Sequence, residues 1–164
     1  MSMLREGLST ALILALVACG GDPATNDVGA GTIAGIETSA AGIATYLNGT
    51  QYAAWTHEVQ VHDSAGPHGK VKVYFNDTLT ASLMASNATH PKGSVAIKEL
   101  YKSDGNTLDG YAVMIKADEG APAESWIWFE GFLPEVGADA YGRGLSGCDG
   151  CHSSGKDKVV SRLP

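Results

Sequence analysis

A mainly β, α+β fold is predicted: an antiparallel sheet with a few short helices and a C-terminal turn built around two cysteines. Three observations lead there. Four segments, "KVKVYFND" (70–77), "GSVAIKELY" (93–101), "GYAVMIKAD" (110–118) and "SWIWFEGF" (125–132), are rich in β-branched and aromatic residues. Turn clusters such as "KSDGNTLDG" and "ADEGAPAE" lie between the last three, as hairpins require. Helical spacing is confined to three stretches, a pattern that a helix bundle does not fit.

In chain order, "MSMLREGLSTALILALVAC" opens with Arg5 in a short polar segment, then runs through apolar residues from Ala11 to Ala18 into Cys19. Such a run suits the core of a secretory signal and is too short to span a bilayer. Its end, Leu16-Val17-Ala18-Cys19, resembles the lipobox of bacterial lipoproteins, whose cysteine is acylated and becomes the first mature residue. An ordinary signal peptide is the alternative. The expected division is a signal peptide over 1–18, a small and polar tether over 19–32 that starts at the lipid-anchored Cys19, and one folded domain over 33–164. Gly20, not an acidic retention signal, follows Cys19, so the expected location is the periplasmic side of the cell envelope, at the outer membrane.

Within the domain, the helical stretches are "TIAGIETSAAGIATYL" (32–47), "NDTLTASLMA" (76–85), capped by Asn76 or Asp77, and the terminal turn running into "KDKVVSRL" (156–163). The first strand alternates Lys70, Lys72 and Tyr74 against Val71, Val73 and Phe75. In the second, Lys98 shares a face with Ala96 and Leu100, while Ile97, Glu99 and Tyr101 share the other. Neither face is cleanly polar. Lys98 either snorkels from an edge strand or sits on an apolar face, where desolvation favours the neutral, nucleophilic amine. Trp55, Trp126 and Trp128 read as core or contact aromatics, and Val159, Val160 and Leu163, at helical spacing, as a lid.

A formal charge of −7 leaves no basic stripe to follow a phosphate backbone, which argues against a nucleic-acid partner. The chain has three cysteines, and if Cys19 is acylated only Cys148 and Cys151 remain, in "GCDGCH". Three chemistries compete for them. A redox dithiol belongs at the head of a helix in a βαβ unit, which is not predicted here. A zinc site needs a fourth ligand beside Cys148, Cys151 and His152, from His62 or His68. Covalent haem needs only what is present, because residues three and four apart share one face of a helical turn and Cys-x-x-Cys-His is the haem c attachment signal. Only twelve residues, 153–164, follow His152, and none is Met, so a sixth iron ligand would have to come from upstream. Met84 and Met114 both sit in apolar patterns that read as core, which leaves an open sixth position.

"HPKGSVAIKELY", "GYAVMIK", "SWIWFE" and the terminal "CDGCH" with "KDKVVSRLP" resemble, in that order, the cytochrome P-four-sixty family of c-type haem proteins, which is related to the β-sheet cytochromes c-prime. "GPHGKVKVYFND" fits just upstream, and the resemblance runs from about Trp55 to Pro164. It implies a mostly β protein, often homodimeric, with a five-coordinate haem c. Cys148 and Cys151 would form the thioethers, His152 would be the proximal iron ligand, and Lys98 would be joined covalently to a meso carbon of the porphyrin. Cross-linked members oxidise hydroxylamine to nitric oxide or nitrous oxide and pass electrons to a periplasmic acceptor; relatives without the cross-link bind nitric oxide. Hydroxylamine-oxidising members tend to place an arginine or an acid near the substrate. The stretch "HDSAGPHGKVKV" has no arginine, so His68 and Lys70 are the distal candidates, with Glu130 and Arg143 behind them.

Overall fold

The computed structural model describes residues 28–164. The signal peptide expected over 1–18, the expected lipid anchor Cys19 and the expected tether up to residue 27 lie outside the described residues. Among the described residues no helix is long and apolar enough to cross a membrane.

The architecture is mainly antiparallel sheet with three short helices. A two-stranded hairpin, β1 (Thr32–Ile33) and β2 (Ile36–Glu37), leads into α1 (Ala40–Asn48). A seven-stranded sheet follows, made of β3 (Thr56–His57), β4 (His62–Asp63), β5 (Lys70–Phe75), β6 (Val95–Tyr101), β7 (Leu108–Lys116), β8 (Trp126–Phe132) and β9 (Ala140–Arg143). The helix α2 (Asp77–Met84) links β5 to β6, and α3 (Ser146–His152) follows β9. The strands run in the order β3-β5-β6-β7-β8-β9, with β4 also on β5, and every pairing is antiparallel.

Both faces of the central strands are buried, which is why β6 does not alternate cleanly. One face packs Ile97, Val113, Ile115 and Phe129 against Ile43 and Leu47 of α1. The other packs Phe75, Ala96, Met114, Trp126 and Trp128 against Leu79 of α2 and Val159 of the C-terminal tail. Burying a sheet on both sides is the largest apolar contribution available to a domain of this size.

Two of the helical expectations are corrected. Residues 32–47 are not one helix: Ala34 and Gly35 take φ of 52° and 79°, turning the β1–β2 hairpin, and the helix starts only after Ser39, whose side chain accepts from Gly42 N. The stretch "KDKVVSRL" does not continue α3, because Asp157 and Lys158 take φ of 43° and 72° and Lys156 bridges to Val159. The α2 expectation holds, with Asn76 as the cap: its Oδ1 accepts from Leu79 N and Val95 N, both at 3.0 Å. Met84, expected in the core, stands 75% exposed at the end of α2, whereas Met114 is buried. The packed structure also begins before residue 33, since Val28 joins the core and its carbonyl accepts from Arg143.

Burial of His90 has a consequence for stability. Its Nδ1 pairs with Ser82 Oγ at 2.8 Å, and desolvation pushes the imidazole below its ordinary value of 6.5. Between the folded value and 6.5 the unfolded chain binds a proton that the folded chain does not, so this group's contribution is lost as pH falls through that window. Thermal unfolding followed between pH 7 and 5 is expected to show a smaller acid loss in His90→Gln than in the native chain.

Candidate functional site

The register of the sheet builds the floor of a cavity. Val73, Lys98, Ala112 and Glu130 are consecutive partners across β5, β6, β7 and β8, so their side chains leave the sheet on one face in one row. Ala96, Met114 and Trp128 form the next row. Alanines in both rows leave room above the sheet. The roof is α3 and the tail: Cys148, Cys151, His152, Val159 and Val160 close over a space of about 850 Å³, counting its open mouth. The lining is predominantly apolar, as a large planar organic ligand requires.

Lys98 is 9% exposed and has no hydrogen-bonded or ion-paired partner among the described residues. Desolvation pushes its pKa down, against the through-space pull of Glu58 and Glu130, so the amine is biased toward its neutral form. The edge-strand reading fails, because β6 is central, with β5 on one side and β7 on the other. On the reverse side of β6, Glu99 accepts hydrogen bonds from Tyr52 (2.8 Å), Tyr74 (3.0 Å) and Tyr101 (2.6 Å). Three hydroxyls on one buried carboxylate pin the strand behind Lys98.

His152 ends α3. Its Nδ1 is 2.8 Å from the carbonyl of Lys158, which can only accept, so Nδ1 carries the proton and Nε2 keeps its lone pair. Trp128 packs edge-on against the ring with centroids 4.8 Å apart. Burial, foremost, lowers the imidazole pKa, which keeps it in the ligating form. Cys148 and Cys151 are free thiols one turn along the same helix face, Cys148 half-buried and Cys151 exposed. Burial raises the Cys148 pKa.

His68 enters from the loop before β5. Its Nδ1 lies 3.0 Å from Glu130 Oε2, and its ring is 6.4 Å from that of His152. The hydrogen bond from His68 lowers the Glu130 pKa. Thus Lys98, His68, Cys148, Cys151 and His152, drawn from three separate parts of the chain, border one cavity. Lys70 does not join them: it lies on the opposite face of β5 from Val71 and Val73, and its ammonium pairs with Asp63 at 2.9 Å. Arg143 also points away, held by Asp118 and the carbonyls of Val28 and Glu124. His62 pairs with Glu58 at 2.9 Å.

Sequence reasoning placed Glu130, which lines the cavity, behind His68 and Lys70, and overlooked Arg162, which lines the groove opening from it. Glu130 carried a detectable signal, since strand alternation puts it on the same face as Trp128; its pairing with His68 had none. Among the described residues no three His, Cys, Asp or Glu side chains are gathered as a metal-ion site, and no βαβ unit surrounds Cys148 and Cys151.

The residues present fit a covalently held haem. An apolar space, two thiols and an imidazole with a free Nε2 share one wall, and the buried Nε1 of Trp128 in that lining has no partner. No protein-family model matches the chain, and no curated protein matches it either.

Proposed function

We propose that this domain is a c-type cytochrome of the periplasm, anchored to the envelope through Cys19, that oxidises a small nitrogenous substrate such as hydroxylamine. The observation that carries the reading is the cavity itself, which has Cys148, Cys151 and His152 in its roof and the unpaired amine of Lys98 in its floor. When bound, haem c supplies the redox-active iron at which the substrate is held and from which electrons leave to a periplasmic acceptor.

The chain's own residues do the rest. Cys148 and Cys151 would hold the haem as thioethers, each S–H adding across a vinyl double bond. His152, kept in one tautomer by the Lys158 carbonyl, would hold the iron through Nε2. Lys98 would be the residue to tie the porphyrin edge at a meso carbon, its amine losing one hydrogen and the ring carbon another as two protons and two electrons taken up by a two-electron oxidant such as a peroxide. Val73, Ala112 and Met114 exclude water beside it. Glu130 accepts protons from the substrate, and His68 orients and stabilises its carboxylate.

The mature protein and a Cys148→Ala/Cys151→Ala variant, compared by intact mass and visible absorption, test this directly. A haem-sized mass increment is expected in the first and not in the second. Its absence from the mature protein would end the haem reading.

A second reading is supported by one observation, that among the described residues no arginine lines the main cavity and Arg162 lines only the adjoining groove: a haem protein that binds nitric oxide or passes electrons without turnover. Haem-loaded protein that fails to consume hydroxylamine with an added electron acceptor decides for it.

A further inference from the structure

The turn after α3 takes a conformation that its own sequence does not favour. Asp157 and Lys158 are consecutive non-glycine residues in the left-handed region, with φ of 43° and 72°. Lysine has no short side chain with which to compensate locally. That second residue carries the carbonyl to which His152 Nδ1 donates.

Buried polar contacts hold the turn. The Asp157 side chain is fully buried, and its Oδ2 lies 2.7 Å from Nζ of the equally buried Lys116, the last residue of β7. The same oxygen accepts from the backbone N–H of His90 at 2.8 Å, and Oδ1 accepts from Trp126 Nε1 at 3.3 Å. Lys116 also donates to Ser125 Oγ and to the Gly120 carbonyl, so its three protons are all used. Lys116 and Trp126 are register partners on β7 and β8, which makes the anchor part of the sheet. On the other side, Lys158 Nζ reaches Asp149 Oδ1 of α3 at 2.8 Å. A buried ion pair is a poor device for stability alone, because desolvation offsets much of its attraction; what it confers is a unique geometry.

We infer that Asp157 and Lys116 are positioning residues for His152: their buried pair locks the turn that presents the Lys158 carbonyl, and so sets the orientation and donor strength of the imidazole. The inference rests on the haem reading. An N–H to carbonyl bond at the remote nitrogen raises the basicity of the ligating one. Releasing the turn removes that bond, weakens donation to the iron and lets the ring rotate.

The test uses the haem-loaded protein. Asp157→Asn leaves Lys116 without a counter-charge, so Lys116→Met/Asp157→Asn is made beside it as the variant that carries no unpaired buried charge. Leu47→Ala, in the apolar layer on the other side of the sheet, controls for lost stability. The readouts are intact mass, the ferrous iron–histidine stretching band and the reduction potential. The expected result is full haem mass throughout, with a lower-frequency, broader band and a raised potential in both Asp157 variants and neither change in Leu47→Ala. An unmoved band in the double variant, or an equal shift in Leu47→Ala, would overturn the positioning role while leaving the haem reading intact. A native protein without the haem increment would overturn both.

Discussion

On the proposed haem reading, replacing Lys98 with alanine is expected to leave the haem attached but one bond short. Cys148, Cys151 and His152 sit on α3 and the cavity persists, so the variant should retain thioether-linked haem. The native protein should be lighter than the sum of chain and haem by the two hydrogens lost at the lysine nitrogen and the meso carbon. Its absorption spectrum should differ from that of the variant for the same reason, since a substituent on the ring edge distorts the macrocycle. Hydroxylamine consumption should fall to the level of a five-coordinate haem without the cross-link. Lys98→Arg should behave like the alanine variant, because guanidinium stays charged and cannot act as the nucleophile. Formation of the bond in haem-loaded protein should quicken as pH rises toward the lysine's folded-state pKa, and desolvation places that value below the ordinary one. If Lys98→Ala and native protein agree in mass, after haem is counted, and in spectrum, there is no cross-link, and most of the case for catalysis goes with it.

The second large effect belongs to Glu130. If Glu130 accepts the substrate's protons as proposed, Glu130→Gln should lower kcat/KM for hydroxylamine by about 10²–10⁴-fold, the range for a positioned general base. Haem content and the iron–histidine band should stay as they are. His68→Gln should shift the pH dependence of the rate. The hydrogen bond from His68 is the first cause of the depressed Glu130 pKa, with burial acting the other way. Removing the imidazole lets that pKa rise, so the acid limb of the rate profile should move to higher pH while the plateau falls less than in Glu130→Gln. A pH–rate profile identical in the two variants and the native protein would remove the dyad from the reaction.

The central strands were legible in the sequence because strand period and turn chemistry are local. "KVKVYFND", "GSVAIKELY", "GYAVMIKAD" and "SWIWFEGF" hold β5 to β8, and Asn76 caps α2 as its side chain and position require. The errors arose where a local pattern had two solutions. "TIAGIETSAAGIATYL" has apolar residues at helical spacing, yet Ala34 and Gly35 turn left-handed and the first part pairs as a hairpin. "KDKVVSRL" has the spacing of a helix too, but Asp157 finds partners on β7 and β8 that a continued helix would forgo. Hydrogen bonds to Asp157 from His90 N–H, Lys116 and Trp126, all distant in the chain, outweigh weak helical propensity.

The candidate site divides in the same way. Cys148, Cys151 and His152 announce themselves by spacing, since the turn that holds them together is a single helix face. The unusual setting of Lys98 could also be read from β6, whose two faces are both short of polar residues. Which groups meet across the cavity could not. Glu130 reaches Lys98 through the pairings of β6 with β7 and β7 with β8, His68 arrives on a loop, and Lys70, two residues beyond it, is turned to the other face by the pleat. By itself, then, the sequence determined the β-rich fold class, the run of strands and the thiol–imidazole motif, all of which depend on neighbours within a few residues. Only the tertiary structure decided the partners of that motif. Register sets them, and register is a long-range property that a change of one residue would reverse for every side chain on the strand.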